Sequence, residues 1–380
     1  MFGNGISNIT DNTRSVLNQV SFDSLGTEEF LIGKAEFDKA IWDYSRVSQV
    51  KYPEISGLNK YNQAVANKIR TVRDLKGIRN DLSGTYELAR DIKITTYVCE
   101  ILIPGNFKGT LLGNGFTIEG LSSPLFENLQ GTVENLKIKD ANVQTWDGKD
   151  SNVLATETNN AKVSNVHFEK IYINGTNHTA IVSGKDIGST FNNISLKGIT
   201  VAARGQYSGT FIGEAINSNI SNILILDGRI IIIDDRSGGF IGNVKKSTID
   251  KVFVDVDSNF DNYYVNLSRA RSAGFIGNID TDVGAYSKIT NSVSVGDVSN
   301  PEIYKFVGAY SYFTANSHGR NNFECKEATG KALNKDLAHG IERSALSTED
   351  FYRNRVSFDE SIWDLSTVVS KGHPTLKEMN

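Results

Sequence analysis

The sequence predicts an all-β protein: a single-stranded right-handed parallel β-helix with a short helical N-cap and a C-terminal capping module. Three observations carry this. First, Gly209-Thr210-Phe211-Ile212-Gly213, Gly239-Phe240-Ile241-Gly242 and Gly274-Phe275-Ile276-Gly277 repeat one motif, with the Phe residues spaced 29 and then 35 residues apart, and a period in that range marks a solenoid. Second, Asn135, Asn165, Asn193 and Asn222 follow at spacings of 30, 28 and 29 residues, each directly before Leu, Val or Ile. Third, the segments between these markers alternate β-branched and polar residues at period two, as in Thr248-Ile249-Asp250-Lys251-Val252-Phe253-Val254, which is strand patterning. A repeat of this length without a helix is too small to enclose a core, so copies must stack on one another. The motif glycines are then expected at turns that need positive φ, and the Asn column is expected to bond side chain to side chain along the axis.

Weaker copies extend the array through Leu125-Phe126, Val153-Leu154-Ala155 and Ile181-Val182-Ser183-Gly184 upstream and Phe306-Val307-Gly308 downstream. Taken in order, residues 1–55 read as the end of a preceding repeat unit, residues 56–81 as a linker and capping helix, residues 82–330 as the β-helix, and residues 331–380 as the closing module. The first and last assignments rest on a duplication. Leu25, Thr27, Glu28, Phe30, Phe37, Asp38, Ile41, Trp42, Asp43, Ser45 and Pro53 recur as Leu346, Thr348, Glu349, Phe351, Phe358, Asp359, Ile362, Trp363, Asp364, Ser366 and Pro374, all at an offset of 321. Thr71-Val-Arg-Asp74 has the spacing of a capping box and opens a short helix through Ile78, which is expected to plug the first coil.

Composition narrows the function. A hydrophobic content of 39% supplies a large core, and Gly 34 against Pro 5 suits many tight turns. The net charge of -4, with Lys and Arg scattered, leaves no basic footprint for nucleic acid. No window approaches the ~18 apolar residues of a membrane span, and residues 1–20 lack the pattern of a signal peptide. Cys99 and Cys325 fall in the first and last coils, too far apart to bridge, and are expected as free thiols.

The stretches Leu75 to Ile92, Phe107 to Ile118 and Pro124-Leu125-Phe126, with the closing Asp350-Phe351-Tyr352 to Trp363-Asp364 and His373 to Leu376, resemble the β-helical region of streptococcal zinc metalloproteases of the immunoglobulin A1 protease type. The repeats are also similar to the GLUG repeats of bacterial surface proteins. The resemblance covers about residues 70–376 and implies a secreted or surface-attached parent protein of a Gram-positive bacterium. It implies zinc in that parent and a host glycoprotein such as immunoglobulin A, or other domains of the same polypeptide, as partner. This chain departs from the protease pattern: none of His167, His178, His318, His339 and His373 begins a His-Glu-x-x-His motif, so no cofactor is expected here and the role implied is a non-catalytic one, binding or spacing.

Other candidates come from the residues themselves. Asp234-Asp235 is an adjacent carboxylate pair; a carbohydrate-active β-helix, lyase or hydrolase, would use it with Asp255 or Asp257 as acid and base, and a polar turn is the plainer reading. Asp255, Asp257, Asn259 and Asp261 alternate like calcium-loop ligands, although Phe260 stands at the sharp-turn Gly and Asn266 at the bidentate Glu. For a binding surface, the longest insertion offers Tyr263, Tyr264, Arg269 and Arg271, with Trp146 and Tyr207 among the aromatics of the other longer loops; an adhesin stalk without a specific partner is the remaining alternative.

Overall fold

The computed structural model describes residues 42–43, 54–55, 67–97, 100–145, 150–232, 234–260, 271–280, 286–310, 319–332 and 338–377. The chain divides into two units, Met1–Ala66 and Asn67–Asn380. In the first unit Trp42–Asp43 and Glu54–Ile55 form an antiparallel pair.

The second unit is a parallel β-solenoid of about seven turns. An eight-stranded sheet runs from Ile103–Phe107 through Phe126–Leu129, Ala155–Asn159, Ser183–Ile187, Ile212–Ile216, Ile241–Lys245 and Ile276–Asp280 to Val307–Tyr310. The facing sheet is built on the long strands Lys162–Gly175, Thr190–Ala203, Asn219–Ile232 and Thr248–Phe260. Register is kept from coil to coil: Val133, Val163, Phe191, Ile220, Ile249 and Ile289 pair in sequence and all point inward. Phe211, Phe240, Phe275 and Phe306 stack in one column, with ring centroids 5.2, 5.2 and 4.5 Å apart. Each is fully buried, a burial that contributes roughly 1.5–3 kcal/mol per ring.

The long strands bend without breaking where Asn165, Asn193 and Asn222 adopt left-handed φ near 55°. Asn tolerates that region better than most residues, and here its side chain is also used. Asn165 Nδ2 donates to Asn135 Oδ1 at 3.0 Å and Asn193 Nδ2 to Asn165 Oδ1 at 2.6 Å. The motif glycines serve a different purpose from the one their sequence suggested: none of Gly209, Gly213, Gly239, Gly242, Gly274 and Gly277 has positive φ. A Cβ on Gly239 would lie 1.9 Å from the Gly274 carbonyl oxygen, so glycine is required there for close approach of neighbouring coils.

At the start, Thr71 and Asp74 form the reciprocal capping box of the helix Val72–Gly77. Leu75, with Ile78 just beyond, is fully buried in the solenoid core. At the far end the buried Lys305 ammonium donates to the carbonyls of Cys325 and Ala328. Cys325 is a buried free thiol and Cys99 lies outside the described residues. No described helix is long and apolar enough to cross a membrane.

The closing module lies along the flank of the long-stranded sheet. Phe351, Tyr352, Phe358, Trp363, Leu365, Val368 and Leu376 form a second core with Leu224, Leu226, Phe253, Val293 and Phe323, side chains that point away from the solenoid axis. It therefore closes the structure from the side.

Candidate functional site

Each long strand ends at a corner where the chain turns into the eight-stranded sheet. At that corner Thr179, Ser208, Ser237 and Ser272 form a ladder, the backbone N–H of each of the first three donating to the hydroxyl one coil on, at 3.3, 3.2 and 3.1 Å. The residues just before them, His178, Tyr207, Arg236 and Arg271, thereby stand in one line on the surface. Fixed spacing of the ladder forces their side chains together. The His178 and Tyr207 rings stack at 5.2 Å and 6°, the Arg236 guanidinium lies over the Tyr207 ring, 5.0 Å from its centroid, and Asp150 Oδ2 approaches His178 Nδ1 at 3.5 Å.

Arg236 and Arg271 are like charges on adjacent rungs, and Asp235 holds them there. Its carboxylate accepts from the Arg271 backbone N–H at 2.6 Å and from Arg271 Nε at 3.0 Å and Nη2, with Arg236 Nε 3.9 Å away. Partial burial, followed by the Arg271 charge, holds the Arg236 pKa below its ordinary value. Asp234 Oδ1 accepts the Asp235 backbone N–H at 2.7 Å. The carboxylate pair is thus a turn that locks one coil to the next.

Residues 47–170 match the model of the M26 IgA1-specific metallo-endopeptidase N-terminal region. An immunoglobulin A1 protease of Streptococcus pneumoniae is 28% identical over 241 residues, 60% of this chain and 10% of that protein. A second, from strain R6, is 26% identical over 64% of this chain and 11% of its own length. The chain resembles the N-terminal region of the immunoglobulin A1 proteases. It spans about a tenth of the length of these curated relatives. Two solved structures share the fold at TM-score 0.51: an IgA1 protease, 17% identical, covering 80% of this chain and 28% of its own, and a Bacteroides ovatus protein provisionally named for the same activity, 14% identical, covering 82% and 92%.

Beside the immunoglobulin A1 protease resemblance, the remaining candidates can be placed. Asp255, Asp257 and Asn259 lie within the strand Thr248–Phe260, so they project from one sheet face at alternate positions and do not wrap a loop around an ion; Asp261 lies outside the described residues. Asp255 is pushed up by burial and by Asp257 and Asp227, against the opposing pull of His373 and Arg343; its charged neighbours are those of the flank, while those of Asp235 belong to the corner. Trp146, Tyr263, Tyr264 and Arg269 lie outside the described residues, in segments 146–149 and 261–270 that connect to this corner in the chain. Among the described residues no group of three or more His, Cys, Asp or Glu is placed to hold a metal ion.

Neither His178 nor Arg236 belongs to a binding motif in the sequence. Their signal was positional: counted back from the Ser of each turn, they share the register of Tyr207.

Proposed function

We propose that this chain is a non-catalytic β-solenoid module of an immunoglobulin A1 protease-type protein, secreted or surface-attached. It holds the protein substrate, or another domain of the same polypeptide, along the corner defined by His178, Tyr207, Arg236 and Arg271. The observation that carries this reading is that corner: successive coils present different charged and aromatic side chains in one line, each fixed by its neighbours, so a partner meets a preorganised surface. Rim charges of this kind steer and align a partner. Of the carboxylates a glycosidase would need, Asp234 is committed to its own turn and Asp235 to a coil-to-coil bond.

The test is binding of immunoglobulin A1 to the full chain by surface plasmon resonance, with Arg271→Ala and the double variant Tyr263→Ala, Tyr264→Ala beside the parent. Binding weakened about tenfold or more, the loss of ~1.4 kcal/mol, supports the corner as the binding edge. Unchanged binding in folded variants rejects it, and failure of the parent to bind immunoglobulin A1 leaves an intramolecular domain as the partner to be tested next with the same variants.

A further inference from the structure

The closing module shows what a Trp-Asp module recognises. Trp363 is fully buried and its indole N–H donates to Asn222 Oδ1 at 3.0 Å. Phe351, Tyr352, Phe358 and Trp363 form a continuous run of rings, with centroids 5.0, 5.7 and 4.1 Å apart. That run meets the flank at Phe253 and Phe323. The flank is specific to these coils. Lys137, His167, Ser195, Leu224, Phe253, Val293 and Phe323 occupy one outward register position in successive coils. The position is polar until Leu224 and apolar from there on, where the module lies.

Residues 25–55 carry most of the same recognition residues, with Leu31 at the place of Tyr352. Leu346, Phe351, Phe358, Ile362 and Trp363 are matched by Leu25, Phe30, Phe37, Ile41 and Trp42. The backbone pairing also matches: Trp42 pairs with Ile55 and Asp43 with Glu54, as Trp363 pairs with Leu376 and Asp364 with Thr375. On this chain the flank is filled by residues 343–377. We propose that the flank around Asn222, Leu224 and Phe253 accepts either module, so that residues 25–55 of one copy dock on the flank of a second copy whenever its own closing module is released. Exchange of equivalent elements between identical chains costs little, because the contacts made replace those lost.

Release is produced in the full chain by Trp363→Ala. Sedimentation over a concentration series is expected to show self-association at least about tenfold tighter than in the parent chain. Adding Trp42→Ala is expected to abolish it, and adding Leu224→Lys on the receiving flank likewise. Association that survives Trp42→Ala reflects a bared apolar face and overturns the proposal. So does a Trp363→Ala chain that keeps its circular dichroism and remains monomeric. Should Trp363→Ala fail to fold, Trp363→Phe, which removes the indole donor and keeps a smaller aromatic ring, is compared with and without Trp42→Ala; equal association in the two overturns the proposal, and association that Trp42→Ala removes upholds it.

Discussion

The early and late coils of the solenoid share an inner face and differ on their outer one. In the early coils the outward positions of the long-stranded sheet hold Lys137, His167 and Ser195, with Lys139, Glu169 and Lys197 two residues on. These sides are polar and pair across rungs, as in the 3.7 Å contact of Lys139 with Glu169. In the late coils the same positions hold Leu224, Phe253, Val293 and Phe323, with Leu226 beside them, all buried beneath the closing module. The backbone scarcely distinguishes the two. Solenoid architecture is set by what points inward; the outer face is free to record what covers it.

The largest expected effect lies in the part the two regions share. Phe240→Asp places a charge in the ring column between Phe211 and Phe275, where no partner can neutralise it. A loss above about 4 kcal/mol is expected, read as loss of the cooperative thermal transition. Near-parental melting would mean that the column does not hold the coils together.

The comparison itself is broken by one substitution made twice. Leu224→Lys puts an ammonium under the module and is expected to cost about 3 kcal/mol or to release residues 343–377 outright, seen as new protease sensitivity in that segment. Ser195→Lys, one coil earlier at the same register position, is expected to change stability by less than about 0.5 kcal/mol. Equal effects at both would show that the module is not seated where its contacts place it.

Much of the inner structure was legible because it obeys periods. The Phe column, the Asn turns and the capping box of Thr71 and Asp74 each follow from a spacing and a residue type. What was misread or missed depends on relations across coils. The motif glycines looked like turn residues, since sequence does not reveal that a carbonyl from the next coil lies against them. Asp255, Asp257 and Asn259 resembled a loop of ligands, although alternation at period two is equally the mark of a strand, and a strand is what they form. The seat of the closing module had a signal that periodicity discards. Ile223-Leu224-Ile225-Leu226 has no polar residue at the outward positions, which an open flank would not tolerate so readily. The corner column was hidden because its members, His178, Tyr207, Arg236 and Arg271, have no common residue type, only a common place.

Acid is expected to loosen the late region selectively. Glu327 accepts the Arg343 backbone N–H at 3.0 Å with both carboxylate oxygens, and these bonds, at the entry to the closing module, hold its pKa down to about 2 from 4.5. A carboxyl with a depressed folded-state pKa contributes stability above its unfolded value and loses it as the pH falls from about 4.5 toward 2. Hydrogen exchange in residues 343–377 should therefore quicken over that window while the coils around Asn165 stay protected. Glu327→Gln should flatten the difference; an unchanged acid response in that variant would assign it elsewhere.

The smallest effect tests how the Asn ladder ends where the two regions meet. Asn165 both donates to Asn135 and accepts from Asn193, but Asn193 Oδ1 has no partner among the described residues. The reason lies one rung on: Asn222 turns its amide to Asn192 Oδ1 at 2.8 Å and gives its own oxygen to Trp363. Module docking thus interrupts the ladder and leaves Asn193 with one ladder bond. Glycine accepts the left-handed backbone at these sites, so substitution isolates the side-chain bonds. Asn193→Gly is expected to cost about 1 kcal/mol and Asn165→Gly about twice that, measured by urea denaturation. If the two costs were equal, the ladder would be running unbroken past Asn193, and the module could not be drawing its anchor from Asn222.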